Sequence, residues 1–189
     1  MSKERRGTLK ILNEFDAVRY GTYEDFLHFY SGDINTMDKY VNLNLLSLTL
    51  VNDKNELEKL KIIKFLLSER IDINFKDDKF KRNALHWFYF SNYRPSIDYM
   101  LEVTKLLING GIDINALDKY KVIPLKYAIT IIKLPSNELK PIYEIFLKHG
   151  SNYKNIDVFG KTCLDYVKEL SWRNDVIKII KEFEDGNKK

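Results

Sequence analysis

The side chains able to do chemistry are few and scattered. There are three histidines, His28, His86 and His149, and one cysteine, Cys163. No His-x-x-x-His, no cysteine pair and no carboxylate cluster offers metal-ligand spacing. A helix start at Cys163 would lower its pKa and sharpen it as a nucleophile; a small buried thiol is the simpler reading. His28 falls on a helix and His149 beside a helix end, and both read as ordinary solvated or packed rings. Ser96 and Ser136 each precede an acid by two residues, Asp98 and Glu138, which is how a helix cap is built rather than a nucleophile. Gly110-Gly111 lacks the partners of a phosphate loop. The expectation is a protein that is not an enzyme, with no cofactor and no metal.

The elements that must carry these residues are set by composition and periodicity. The 189 residues are 44% hydrophobic and 13% aromatic, ample for a core. With 31 Lys+Arg against 27 Asp+Glu the net charge is +4, too small to argue for nucleic acid and compatible with an acidic protein partner. A lone cysteine excludes an internal disulfide and fits a reducing compartment. Met1 to Arg6 is charged, but Asn13, Glu14 and Asp16 interrupt any apolar stretch of signal-peptide length, and no 18 apolar residues run together. A cytoplasmic protein without a membrane or nucleic-acid partner is expected. The wealth of Lys, Ile, Asn and Tyr suggests an AT-rich bacterial or viral genome.

One turn recurs. Asp38-Lys39-Tyr40, Asp78-Lys79-Phe80, Asp118-Lys119-Tyr120 and Asp157-Val158-Phe159 start 40, 40 and 39 residues apart, each seven residues before a leucine, at Leu45, Leu85, Leu125 and Leu164. A period of 20–50 residues signals stacked units that bury their apolar faces only against one another. Within a unit the turn precedes a short helix, a polar insert, a second helix and a loop. The second helices read apolar–apolar–polar–apolar–apolar, as in Ile62 to Leu67, Val103 to Ile108, Ile142 to Leu147 and Val176 to Ile180, a stripe wide enough to be packed on two sides. Gly110-Gly111 and Gly150 follow two of them, where a left-handed cap is wanted. Asp33-Ile34-Asn35, Asp72-Ile73-Asn74 and Asp113-Ile114-Asn115 come next, with Asx side chains suited to bonding a turn.

Asn83-Ala84-Leu85-His86, Ile123-Pro124-Leu125-Lys126-Tyr127-Ala128, Gly160-Lys161-Thr162-Cys163-Leu164 and above all Leu106 to Asp118 resemble the ankyrin repeat over about residues 9–183. The resemblance implies an all-α solenoid of about five helix pairs with short turn or hairpin fingers, in one domain. Its units would be 9–35 as an N-terminal cap, 36–74, 75–115, 116–154, and 155–184 as a C-terminal cap, before a frayed tail at 185–189. It also implies a structural His86, whose ring ties down a neighbouring turn, and puts Cys163 at the family's proline position.

Two departures stand out. The turn glycine survives only as Gly160, with Val41, Lys81 and Lys121 at its other positions; a β-branched Val41 resists positive φ, so another geometry is expected there. The period is also longer than the family's 33, and the surplus falls near Asn52 to Lys59, Asn92 to Tyr99 and Leu134 to Lys140. Longer helices joined by displaced, Ser96- or Ser136-capped turns would absorb it.

Ankyrin-like stacks bind proteins through the turn tips and the exposed face of the first helices. Here that surface would carry Lys39, Tyr40, Lys79, Phe80, Arg82, Trp87, Lys119, Tyr120, Tyr127, Phe159 and Lys161, with Asn42, Ser47 and Phe90 beside them. Aromatics and arginine favour hot spots, and lysines would steer an acidic partner. Tyr93, Arg94, Tyr99 and Lys140 offer a second surface at the opposite edge. The resemblance extends to stand-alone, long-period ankyrin proteins that act as immunity proteins. A protein-binding module that neutralises a cognate toxin, monomeric when free, is therefore the leading expectation. The alternative is a poxvirus-like host-interaction protein.

Overall fold

The computed structural model describes residues 10–51, 54–90 and 95–186. Ten α-helices and one two-stranded hairpin make up its regular structure, so the described protein is mainly helical. The helices come in pairs: α1 (Glu14–Tyr20) with α2 (Tyr23–Phe29), α3 (Leu45–Leu50) with α4 (Glu56–Ser68), α5 (Ala84–Phe90) with α6 (Ile97–Asn109), α7 (Pro124–Thr130) with α8 (Lys140–Lys148), and α9 (Cys163–Glu169) with α10 (Asn174–Gly186). The odd-numbered helices pack in series, α1 on α3, α3 on α5, α5 on α7 and α7 on α9, and the even-numbered ones likewise from α2 to α10. Two rows result, termed inner for the odd-numbered helices, all short, and outer for the even-numbered ones, which are longer from α4 onward.

The apolar spacing explains the rows. In α6 the buried residues Met100, Val103, Thr104 and Leu107 recur at helical spacing, and Ile62, Ile63 and Leu66 do the same in α4. Leu45, Leu85 and Leu125, the leucines that follow the first three turns, are at most 1% exposed between the rows, whereas Leu164 after the fourth is half-buried. At about 25 cal/mol per Å² of apolar surface removed from water, burial of one such leucine contributes roughly 2 kcal/mol.

Helix starts are only partly as the sequence predicts. Ser96 caps α6, its hydroxyl accepting from the Tyr99 amide at 3.2 Å. Ser136 caps nothing. α8 begins at Lys140 with Pro141 in its first turn, and Ser136 is buried with its hydroxyl on the Trp172 carbonyl. The extra length follows the same division: α4 and α6 each have 13 residues, whereas α8 has nine. Tyr93 and Arg94 lie outside the described residues. Tyr99 is buried against Phe88 and Lys140 is bound to Glu144 and Glu182, so neither presents the free second surface expected of it. Asp185 and Gly186 belong to α10 rather than to a frayed tail.

Asparagines tie successive pairs together. The Asp72 amide donates to Asn35, that of Asp113 to Asn74 at 2.7 Å, and that of Asn152 to Asn115 at 2.7 Å. Asn74 and Asn115 return bonds to the carbonyls of Gly111 and Gly150. Each side chain thus satisfies backbone groups that a helix end would otherwise leave open.

The Candidate interaction surface

Four turns project beside the inner helix row, each organised by one buried carboxylate. Asp118 Oδ1 accepts from the Tyr120 and Val122 amides at 2.8 and 3.0 Å, and Asp157 Oδ1 accepts from those of Phe159 and Lys161 at 2.8 and 3.1 Å. Asp38 accepts from the Tyr40 amide at 2.8 Å and faces Arg19 at 3.6 Å. In the second turn this role falls to Asp77, which accepts from Phe80 and Arg82 at 2.6 and 2.9 Å. Asp78, the residue in register by sequence, is exposed and bonded to Asn42 and Lys81. The first two turns are therefore one residue longer than the last two, which the adjacent pair Asp77-Asp78 conceals in the sequence.

Backbone geometry agrees. Lys81, Lys121 and Gly160 have φ of 56°, 57° and 72°. In the first turn the positive φ moves from Val41 to Asn42, at 55°. Asparagine tolerates the left-handed region and a β-branched residue does not. The departure at Val41 is thus absorbed by one extra residue, closed by the Asn42 amide on the Asp38 carbonyl at 2.7 Å.

Side chains from the inner helices reach back onto these carboxylates. The Tyr127 hydroxyl donates to Asp118 and that of Tyr166 to Asp157, both at 2.6 Å, and the Trp87 indole N–H donates to Asp77 at 3.2 Å. Tyr127 is 4% exposed, so its expected place on a binding face is corrected: its hydroxyl is committed to Asp118, and burial, with Asp118 beside it, holds the phenol well above its ordinary pKa. Arg82 is likewise 4% exposed. Its guanidinium lies 3.9 Å from the Phe90 ring centroid and 4.8–5.0 Å from those of Phe80, Trp87 and Tyr127, donates to the Tyr127 hydroxyl at 2.9 Å, and faces Asp118 at 3.8 Å. A cation enclosed by rings and a carboxylate stabilises the wall between two units and offers little to a partner. Trp87 is half-buried for the same reason, and Ser47 is fully buried.

What stays accessible is the row of tips. Tyr40 is 98% exposed and Phe159 66%, while Phe80 and Tyr120 are half-buried. Lys39, Lys79 and Lys119 are exposed; Lys119 Nζ lies 4.1 Å from the Phe80 ring centroid, and Phe159 stacks on Tyr120 at 6.4 Å and 21°. Lys161 is half-buried and paired with Glu169 at 2.7 Å. The Lys119 amide donates to the Phe80 carbonyl at 2.8 Å and the Val158 amide to that of Tyr120 at 3.0 Å, so three tips form one backbone-linked ridge.

Of the remaining chemical candidates, His86 and Cys163 are built into the framework. His86 is wholly buried, with Nε2 2.8 Å from the Val122 carbonyl of the next turn and burial lowering its pKa to about 4. Cys163 is buried and its thiol is pushed up to about 12 by that burial, which removes the activation a helix start could give. His28 and His149 are exposed. Among the described residues no group of three or more His, Cys, Asp and Glu is disposed to hold a metal ion, and no helix is long and apolar enough to cross a membrane. No family model matches the chain, and no curated protein matches it.

Proposed function

We propose that the chain is an ankyrin-repeat solenoid acting as a non-catalytic protein-binding module, with the tip ridge and the adjoining inner helices as its docking face. The supporting observation is the row of tips, three of them backbone-linked and presenting Phe159, Lys79 and Lys119, with Tyr40 and Lys39 exposed on the first turn beside them, on a frame already fixed by buried aspartates. Exposed aromatics on a rigid backbone lose little entropy on binding, and hot spots favour them. The narrower reading is a cytosolic immunity protein, monomeric when free, that covers a cognate toxin. It rests on the resemblance of the long-period units to such proteins.

The test is affinity capture from the source organism, comparing wild type with the double variant Tyr40→Ala, Phe159→Ala. A specific protein retained by wild type and lost by the variant is expected; no specific protein, or equal retention, refutes the docking face. For the narrower reading, co-expression with the product of an adjacent toxin gene should restore growth.

A further inference from the structure

Charge is distributed unequally over the two faces. In the outer row several lysines find acids nearby, with Lys61 2.6 Å from Glu58, Lys64 3.4 Å from Glu102 and Lys140 3.0 Å from Glu182, although Lys105, Lys148 and Lys181 have no such pair among the described residues. On the inner face the four turn aspartates are consumed by their own turns. Lys81 is paired with Asp78 and Lys161 with Glu169, while Lys39, Lys79, Lys119, Lys121 and Lys126 have no carboxylate within ion-pair distance among the described residues.

Lys126 is the most enclosed of the five. It stands on α7, half-buried, with Nζ 4.5 Å from the Tyr166 ring centroid and 5.4 Å from that of Tyr127, in a small cleft also lined by Val122, Asn155, Lys161 and Cys163. Burial holds its ammonium below the ordinary lysine pKa against the pull of Asp157 and Asp118. Both aspartates are already engaged, each accepting from two backbone amides at Oδ1 and from a tyrosine hydroxyl at Oδ2, and neither comes within ion-pair distance of Lys126. An ammonium has three protons to donate, and a half-desolvated one lacking an acceptor is poised for an incoming anion.

We propose that Lys126 anchors a carboxylate side chain of an acidic polypeptide segment lying across the turn tips, with flanking acids meeting Lys119 and Lys121. This rests on the protein-binding reading above and specifies the chemistry of the partner. A polypeptide fits better than a nucleic acid because most ring faces beside Lys126 are already taken, while Tyr40, the most exposed ring, stands on the first turn. Lys119 and Arg82 cover Phe80, and Tyr120 and Phe159 cover each other, leaving few platforms for base stacking.

The test is fluorescence anisotropy at low salt with two labelled probes, poly-L-glutamate and oligouridylate. Wild type would be compared with Lys126→Gln, Lys126→Arg and Lys148→Gln, the last on the exposed side of α8, after thermal melts show that all four fold alike. Poly-L-glutamate affinity should fall roughly tenfold in Lys126→Gln, recover in Lys126→Arg and stay unchanged in Lys148→Gln. The same polymer should also slow reductive methylation of Lys126. Affinity of Lys126→Gln within twofold of wild type overturns the anchor, and tighter binding of oligouridylate overturns the polypeptide. Normal capture of a natural partner that ignores Lys126 sinks this inference alone, whereas capture of no partner sinks the reading beneath it.

Discussion

Acidification from pH 7.5 to 5 should weaken the fold through a single buried ring. His86 has no exposed surface. Its Nε2 lies 2.8 Å from the Val122 carbonyl, which fixes the hydrogen there, and Nδ1 accepts from the Asn83 amide at 3.2 Å. A protonated ring could also donate from Nδ1 to Asn83 Oδ1, 2.7 Å away, but the loss of solvation outweighs that bond and lowers the pKa from 6.5 to about 4. The native state therefore binds the proton less readily than the unfolded chain, and stability falls as pH drops below 6.5, levelling off below 4. With those two values the loss is about 2 kcal/mol at pH 5 and about 3 kcal/mol at the plateau. Urea unfolding at pH 7.5, 6, 5 and 4.5 reads this directly, with His86→Gln as the control. The variant should be less stable at pH 7.5, yet its stability should decline less between pH 7.5 and 5 by about 2 kcal/mol. Equal slopes for the two proteins would refute the argument that this ring is buried neutral.

Three further outcomes follow from the same frame. Arg173→Met should cost about 3–5 kcal/mol, because the guanidinium, wholly buried, donates to the carbonyls of Ile129 in the last turn of α7 and of Ile132 and Leu134 just beyond it, and their loss strands buried acceptors; chemical denaturation measures it. Tyr127→Phe should cost roughly 1–3 kcal/mol by thermal melting, since Asp118 and Arg82 each lose a bond to one buried hydroxyl. Lys121→Gly, at φ 57°, should be neutral or stabilising by up to about 1 kcal/mol, while Gly160→Ala at φ 72° should destabilise by a similar amount, and comparison of the two urea midpoints decides it.

Much of the frame was legible in the sequence because it depends on local periodicity. The leucine after each of the first three turns, the wide apolar stripe of the second helices and the Ser96 cap are properties of neighbouring residues, and all appear in place, while Leu164 is only half-buried. So does His86, held against the next turn. The register of the second turn was not legible. Asp77 and Asp78 are adjacent and chemically alike, and only closure of the ring of amides around Asp77 distinguishes them. Ser136 misled because Pro-Ser followed by an acid resembles its counterpart at Ser96, yet Trp172 and Arg173 occupy its hydroxyl.

The division between the two sources is physical. Sequence alone determined the spacing of the recurring turn and the apolar periodicity of the helices, since these rest on backbone preference and apolar spacing within about ten residues. Tertiary structure decided which polar groups remain available. Arg82, Tyr127 and Trp87 read as a binding surface one unit at a time, but the neighbouring turn or their own aspartate takes up each polar head. Lys59 and Arg173, charges that no local pattern singles out, are fully buried and donate to carbonyls at the ends of inner helices some forty residues away. A charge finds its partner through space, and no local pattern reports that distance.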